Sequence, residues 1–307
     1  MHFSTRMKAA MALGLAGIFG GIAPLFMKIA FKEFLPLEIT FLRYFFGILF
    51  FIPYMVLSWK QVVKKEDLPV ILLSSLLYMG NIFLFIFGIQ YTTSTVSQLF
   101  YLLSPVFVSI ISFFLFREVL SSRRTVSIIF GIVGASLIIF RSVQGTLLSS
   151  IGSLQGNSMI IIGVIFWSLY IILCKKKGTN IGASTFIVWN FALCIIVSFI
   201  ALTLIGRDPF LLFVKLTKVN LSVSLSVIAL GVVNSGAMVF LYQWAIKNTS
   251  SFVVSSATYL SPLSAGIFAI PFMGEKLSIT LIISALCIGV ASYFVISEKR
   301  RKGINVV

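Results

Sequence analysis

The chain has 307 residues, of which 59% are hydrophobic and 10% charged, and it carries a formal net charge of +16. Its mean hydropathy is +1.09, and its charged fraction falls far below the roughly one quarter of a soluble domain, so the sequence cannot cover a water-facing surface and expects lipid around it. Three scattered cysteines, Cys174, Cys194 and Cys287, and the single His2 supply neither a disulfide framework nor metal-ligand spacing.

A membrane-crossing helix needs about 20 mainly apolar residues. Ten such runs are predicted, near 9–31, 36–58, 68–90, 95–116, 124–141, 158–174, 183–206, 221–246, 251–273 and 279–297. The longest connections are 142–157 and 207–220. The first run follows Arg6 and Lys8; its length and the nine runs behind it argue for a retained span rather than a cleaved leader. The fold class read from this pattern is an all-α integral membrane protein with ten transmembrane helices.

Polar groups in a bilayer core are costly unless they face a cavity or a partner, so they are the side chains to follow. Span 1 carries Gly14, Gly17 and Gly21 on one helical face, then Pro24, with Lys28 near its end. Small residues there permit close packing, and Pro24 permits a bend, so the pattern serves either packing or a hinge. Span 2 holds Arg43, the only basic residue deep within a span. Span 3 offers Tyr78 and Asn81, span 4 Gln98 and Tyr101, and span 6 Trp167 and Tyr170, each pair at i, i+3. Span 7 has Trp189 and Asn190, span 8 Asn234 and Tyr242, and span 9 Ser255, Ser256 and Tyr259. No Asp or Glu falls in the middle of a span, so nothing forces proton coupling.

The basic residues are distributed by side. With the N-terminus inside, Arg6, Lys8, Lys60, Lys64, Lys65, Arg117, Arg123, Arg124, Lys175, Lys176, Lys177, Lys247, Lys299, Arg300, Arg301 and Lys302 fall on one face, sixteen in number. The opposite face has seven: Lys28, Lys32, Arg141, Arg207, Lys215, Lys218 and Lys276. That asymmetry fits ten spans with both termini cytoplasmic. It explains the charge without nucleic acid, for which no aromatic-basic platform is present.

The chain also repeats itself. An offset of 157 residues brings Thr92 onto Thr249, Ser104-Pro105 onto Ser261-Pro262, Glu118 onto Glu275 and Leu120-Ser121 onto Leu277-Ser278. Each copy contains five predicted spans, and an odd number turns the second copy upside down in the membrane. The boundaries read from this are 1–141 for the first five-helix repeat, 142–157 for a linker and 158–307 for the inverted second. Such repeats exchange conformations around a midplane site, which makes Pro105 and Pro262 matched hinge candidates and puts Glu118 and Glu275 at opposite faces. The two glutamates read as fixed caps at helix–helix turns or as gate latches pairing with Arg123 or Lys276.

These residues carry a resemblance. Gly20-Gly21-Ile22-Ala23-Pro24 with Lys28, Arg43 within Phe-Leu-Arg-Tyr-Phe, and the doubled Ser-Pro followed twelve residues later by Glu resemble the EamA branch of the drug/metabolite transporter superfamily. Gly274-Glu275-Lys276-Leu277-Ser278 is the closer copy; the first has Arg117 where that family often has Gly. The resemblance implies a transporter of a small organic solute, with a cavity bounded by spans 1, 3, 4, 6, 8 and 9 and a bacterial inner-membrane location. On those spans the expected solute contacts are Tyr78, Asn81, Gln98, Tyr101, Trp167, Tyr170, Asn234, Tyr242, Ser255, Ser256 and Tyr259, with Asn81 and Gln98 foremost because an amide needs several partners. The expected hinge and gate residues are Gly17, Gly21, Pro24, Pro105, Pro262, Glu118 and Glu275.

Aromatic and amide character leans toward amino acids or related zwitterions; a multidrug or nucleotide-like exporter or exchanger is the alternative. An intramembrane lipid-modifying enzyme is disfavoured, because one tail histidine and no carboxylate pair leave little to catalyse with. No cofactor or metal is expected, and the partners are a small-molecule solute and the bilayer, with a monomer allowed. Arg43 and Lys28 are each able to attract a carboxylate, or to snorkel or bond backbone carbonyls at a helix end.

Overall fold

The computed structural model describes residues 5–57, 64–117, 121–144, 148–177, 183–248 and 259–296. Among them the regular elements are all helical. They are α1 (Thr5–Ala30), α2 (Pro36–Leu57), α3 (Leu68–Gly88), α4 (Ser94–Tyr101), α5 (Ser104–Phe116), α6 (Ser122–Gln144) and the single turn α7 (Leu148–Ile151). There follow α8 (Leu154–Lys177), α9 (Ala183–Leu204), α10 (Leu211–Lys218), α11 (Leu221–Ala229), a π-helical stretch over Leu230–Ala237, α12 (Met238–Asn248), α13 (Leu260–Met273) and α14 (Ile279–Ile296). Eight helices among the described residues are long and apolar enough to cross a membrane, and α13 and α14 are shorter apolar helices. The run predicted at 251–273 is described only from 259 onward.

Two predicted spans are not continuous α-helices. The run at 95–116 breaks after Tyr101, where Leu102 and Leu103 donate to the carbonyls of Leu99 and Phe100 in tight turns at 3.1 and 3.0 Å. Pro105 then sits in the first turn of α5, where its missing N–H removes no helical bond. The run at 221–246 carries the π stretch in its middle, a pattern that apolar periodicity does not distinguish from α-helix.

Contacts divide the chain into two compact units. One comprises residues 1–79 and 180–264, the other 80–179 and 265–307, so the boundary passes through the middle of α3 and of α13. In the first unit α2 packs on α9 and on the π stretch, and α1 packs on α11 and α12. Close approach is built from glycine: a Cβ at Gly231 would strike Phe46 and lie 2.8 Å from the Arg43 carbonyl, and one at Gly47 would lie 3.0 Å from Ser235 Cβ. The buried Glu38 at the start of α2 holds the short helix α10. Its carboxylate accepts from Leu35 N at 2.9 Å and Lys215 Nζ at 3.1 Å, with Arg207 Nη1 at 3.4 Å. In the second unit α6 pairs with α14, and α4 and α5 pack on α8. Ser127 Oγ donates to the Ala291 carbonyl at 2.6 Å across the α6–α14 pair.

Candidate functional site

In the second unit the polar side chains gather on α3, α4 and α8. Asn81 is buried and commits both amide N–H groups: Nδ2 donates to Tyr101 Oη at 2.6 Å and to the Gly163 carbonyl at 2.8 Å. The Tyr101 ring stands edge-on to Phe85 at 5.5 Å. Gly163 permits this approach, since a Cβ there would already touch the Asn81 carbonyl at 3.4 Å. Gln98, one turn into α4 and 9% exposed, has no hydrogen-bond partner among the described residues. Trp167 and Tyr170 stack on one face of α8, with centroids 5.2 Å apart and planes 25° from parallel.

Glu275 belongs to the same unit. Its buried carboxylate turns to the N-terminus of α4. Oε1 accepts from Ser94 N at 2.5 Å, and Oε2 from Thr95 N at 3.1 Å and Thr95 Oγ1 at 2.9 Å. A carboxylate on the free N–H groups of a helix start meets both their hydrogen bonds and the positive end of the helix dipole. Beside it Thr93 caps the same helix, accepting from Val96 N at 3.2 Å.

In the first unit the predicted residues sit on α1, α3, the π stretch and α12. Tyr78 Oη lies 3.2 Å from Tyr44 Oη, so Tyr78 and Asn81, neighbours on one helical face, serve different clusters. Asn234 donates through Nδ2 to the Phe19 carbonyl, while its buried Oδ1 has no partner. Tyr242 packs on Ala9, Ala12, Leu13 and Ala245. Gly17 and Gly21 are buried, Pro24 lies inside α1, and the Gly17 carbonyl accepts from Ser261 Oγ at 3.1 Å. Tyr259 is half-buried at the turn before α13, and Pro262 lies in the first turn of that helix. Ser255, Ser256 and Glu118 lie outside the described residues.

Several buried polar groups of this unit lie outside the expected set of solute contacts. Arg43 neither snorkels nor bonds a helix-end carbonyl; its Nε donates to Ser235 Oγ at 2.7 Å. Ser75 Oγ donates to Asn190 Oδ1 at 2.9 Å. Asn190, on span 7 and so outside the spans expected to bound the cavity, is 1% exposed, whereas its neighbour Trp189 is 38% exposed. Ser235 lies between Asn234 and Gly236 in an apolar run, and only that small, polar composition hinted at it.

Residues 7–140 and 154–297 match the EamA-like transporter family. The chain belongs to that family. This EamA-like protein is 24% identical over 275 residues to an uncharacterized transporter of Clostridium kluyveri, covering 87% of this chain and 85% of the relative. It is 20% identical to the uncharacterized transporter YoaV of Bacillus subtilis, covering 85% and 87%. A second Bacillus subtilis protein, the uncharacterized transporter YetK, is 32% identical over 41% of this chain and 39% of its own. A chain of known crystal structure superposes with a TM-score of 0.61 at 18% identity, covering 94% of this chain and 96% of that one; at that identity the likeness speaks for the fold alone. The EamA-like protein is thus an integral membrane protein of a transporter family, as the resemblance implied.

Proposed function

We propose that the chain is a carrier for a small organic solute, an amino acid or related zwitterion, working by alternating access through a central cavity. In this reading it comprises two inverted five-helix repeats in a bacterial inner membrane, with both termini cytoplasmic. The observation that carries the reading is Gln98. Its side chain makes no hydrogen bond among the described residues although the residue is only 9% exposed, and a polar group in a span calls for a cavity or a partner, which a hydrogen-bonding solute supplies. The family membership and the break in the helix that bears Gln98 point the same way.

Counterflow in proteoliposomes across a panel of amino acids and nucleotide-like metabolites tests this. Saturable exchange of at least one amino acid is expected, with Gln98→Ala lowering it about tenfold, the size of one lost hydrogen bond of about 1.4 kcal/mol, and leaving thermal stability nearly unchanged. Asn81→Ala is expected to behave oppositely. Its amide is spent on Tyr101 and Gly163, so its loss costs about 1–3 kcal/mol of stability. A flat response across the whole panel sinks the carrier reading, and a response confined to nucleotide-like solutes replaces the amino acid with that class.

A further inference from the structure

Arg43 is the eighth residue of α2, about 10 Å into the helix at 1.5 Å per residue. The whole residue is 9% exposed. A guanidinium stays protonated under all ordinary conditions and presents five N–H donors in a fixed plane. In Arg43 one of the five is used, by Nε to Ser235 Oγ. The Ser235 hydroxyl donates in turn to the Leu230 carbonyl at 3.1 Å, which fixes its lone pairs toward the arginine. Cζ stands 5.4 Å from the Tyr44 ring centroid. Among the described residues no carboxylate lies within ion-pair distance of Arg43, and its two terminal nitrogens have no hydrogen-bond acceptor.

The surroundings hold this cation in place without neutralising it. Tyr44 is fully buried and packs on Phe191 at 4.9 Å and on Tyr78 at 6.1 Å. The π stretch, a form that recurs at functional sites, carries Ser235 and also the orphaned Oδ1 of Asn234. An unpaired ionisable group inside a span calls for a partner. With Nε pinned, the pair of groups left free is Nη1 and Nη2, whose parallel N–H bonds match the two oxygens of a carboxylate.

We propose that Arg43 receives the carboxylate of the solute, so that the solutes of this protein are carboxylate-bearing metabolites, amino acids among them. The proposal rests on the carrier reading above and names its substrate class.

The test uses the full-length purified chain and matched probes: each proteinogenic amino acid against its amide, and benzoate against benzamide. Thermal unfolding is followed as a function of probe concentration for the wild type, Arg43→Gln, Arg43→Lys and Ser235→Ala. One or more carboxylates are expected to raise the unfolding temperature saturably, with their amides at least tenfold weaker. Arg43→Gln is expected to erase that preference, and Arg43→Lys, which keeps the charge without the fork, to fall between. Should Arg43→Gln not fold, Ser235→Ala decides: releasing Nε is expected to weaken carboxylate binding several-fold. Equal binding of carboxylates and amides, or unchanged preference in the variants, overturns the proposal. Counterflow separates it from the reading beneath it. Exchange of neutral solutes that Arg43→Gln leaves intact overturns the arginine's role and keeps the carrier, whereas Arg43-dependent binding without any exchange keeps the carboxylate site and overturns the carrier.

Discussion

Two residues at helix ends carry effects that are measurable one side chain at a time. Glu275 gives the N-terminus of α4 two acceptor oxygens and a negative charge. Glu275→Gln keeps one oxygen and loses the charge, and helix-start caps and dipole interactions are each worth about 1 kcal/mol. The variant is expected to lose about 1–2 kcal/mol in thermal or denaturant unfolding, while the exposed neighbour Lys276→Gln loses none. Arg117 ends α5 with φ of 52°, and Gly274 ends α13 with φ of 64°. The two positions are related by the same 157-residue offset as the sequence repeat. Glycine adopts this left-handed turn freely and arginine does not. Arg117→Gly is therefore expected to raise stability by about 1 kcal/mol, read as a higher unfolding temperature. Here the sequence was legible in an instructive way. The departure from Gly at 117 was visible, and the backbone angle explains why glycine suits the position. The orientation of Glu275 was not legible, because its partner lies about 180 residues earlier in the chain and no local pattern encodes such a contact.

At the scale of elements, apolar run length placed most of the described long helices within a few residues, since bilayer thickness sets that length; it did not show the short helix α10 inside the connection 207–220. The break after Tyr101 and the π stretch over 230–237 were hidden. Both keep the apolar composition of a span and differ only in hydrogen-bond register, to which hydropathy is blind. Register also governs which residues meet. Asn190, on a span outside the expected cavity set, is buried because it meets Ser75 of α3, whose Oγ donates to its Oδ1. The α6–α14 pair shows what sets such contacts. A Cβ at Gly134 would lie 2.8 Å from Ile288 Cγ1, 3.0 Å from the Ser284 carbonyl and 3.1 Å from Cys287 Cβ, whereas one at Gly289 meets nothing within 4 Å. Gly134→Val is expected to push the two helices apart at a cost of about 1–3 kcal/mol, and Gly289→Ala to stay within about 0.5 kcal/mol of wild type. Unfolding of the purified variants in detergent measures the contrast; equal losses would mean that the pair does not depend on close approach at Gly134.

For the whole molecule the decisive question is orientation. The proposed pair of inverted five-helix repeats would put matched positions on opposite faces of the membrane. Local geometry makes a matched pair available: Ser121 Oγ accepts from Arg124 N at 3.3 Å ahead of α6, and Ser278 Oγ accepts from Leu281 N at 3.2 Å ahead of α14. Acceptor and donor are both related by the 157-residue offset. The caps themselves are best left intact, and the next residues, Ser122 and Ile279, are exposed and equally matched. In a background with Cys174, Cys194 and Cys287 replaced by Ala, Ser122→Cys and Ile279→Cys are labelled in whole cells with a membrane-impermeant maleimide. In the proposed topology, with both termini cytoplasmic, position 122 lies on the cytoplasmic side. The Ile279→Cys variant is therefore expected to react in intact cells and the Ser122→Cys variant only after permeabilisation. Reaction of both from one side would contradict the inverted repeat, because no even arrangement of spans between two matched positions leaves an alternating-access pair related by a two-fold axis in the membrane plane.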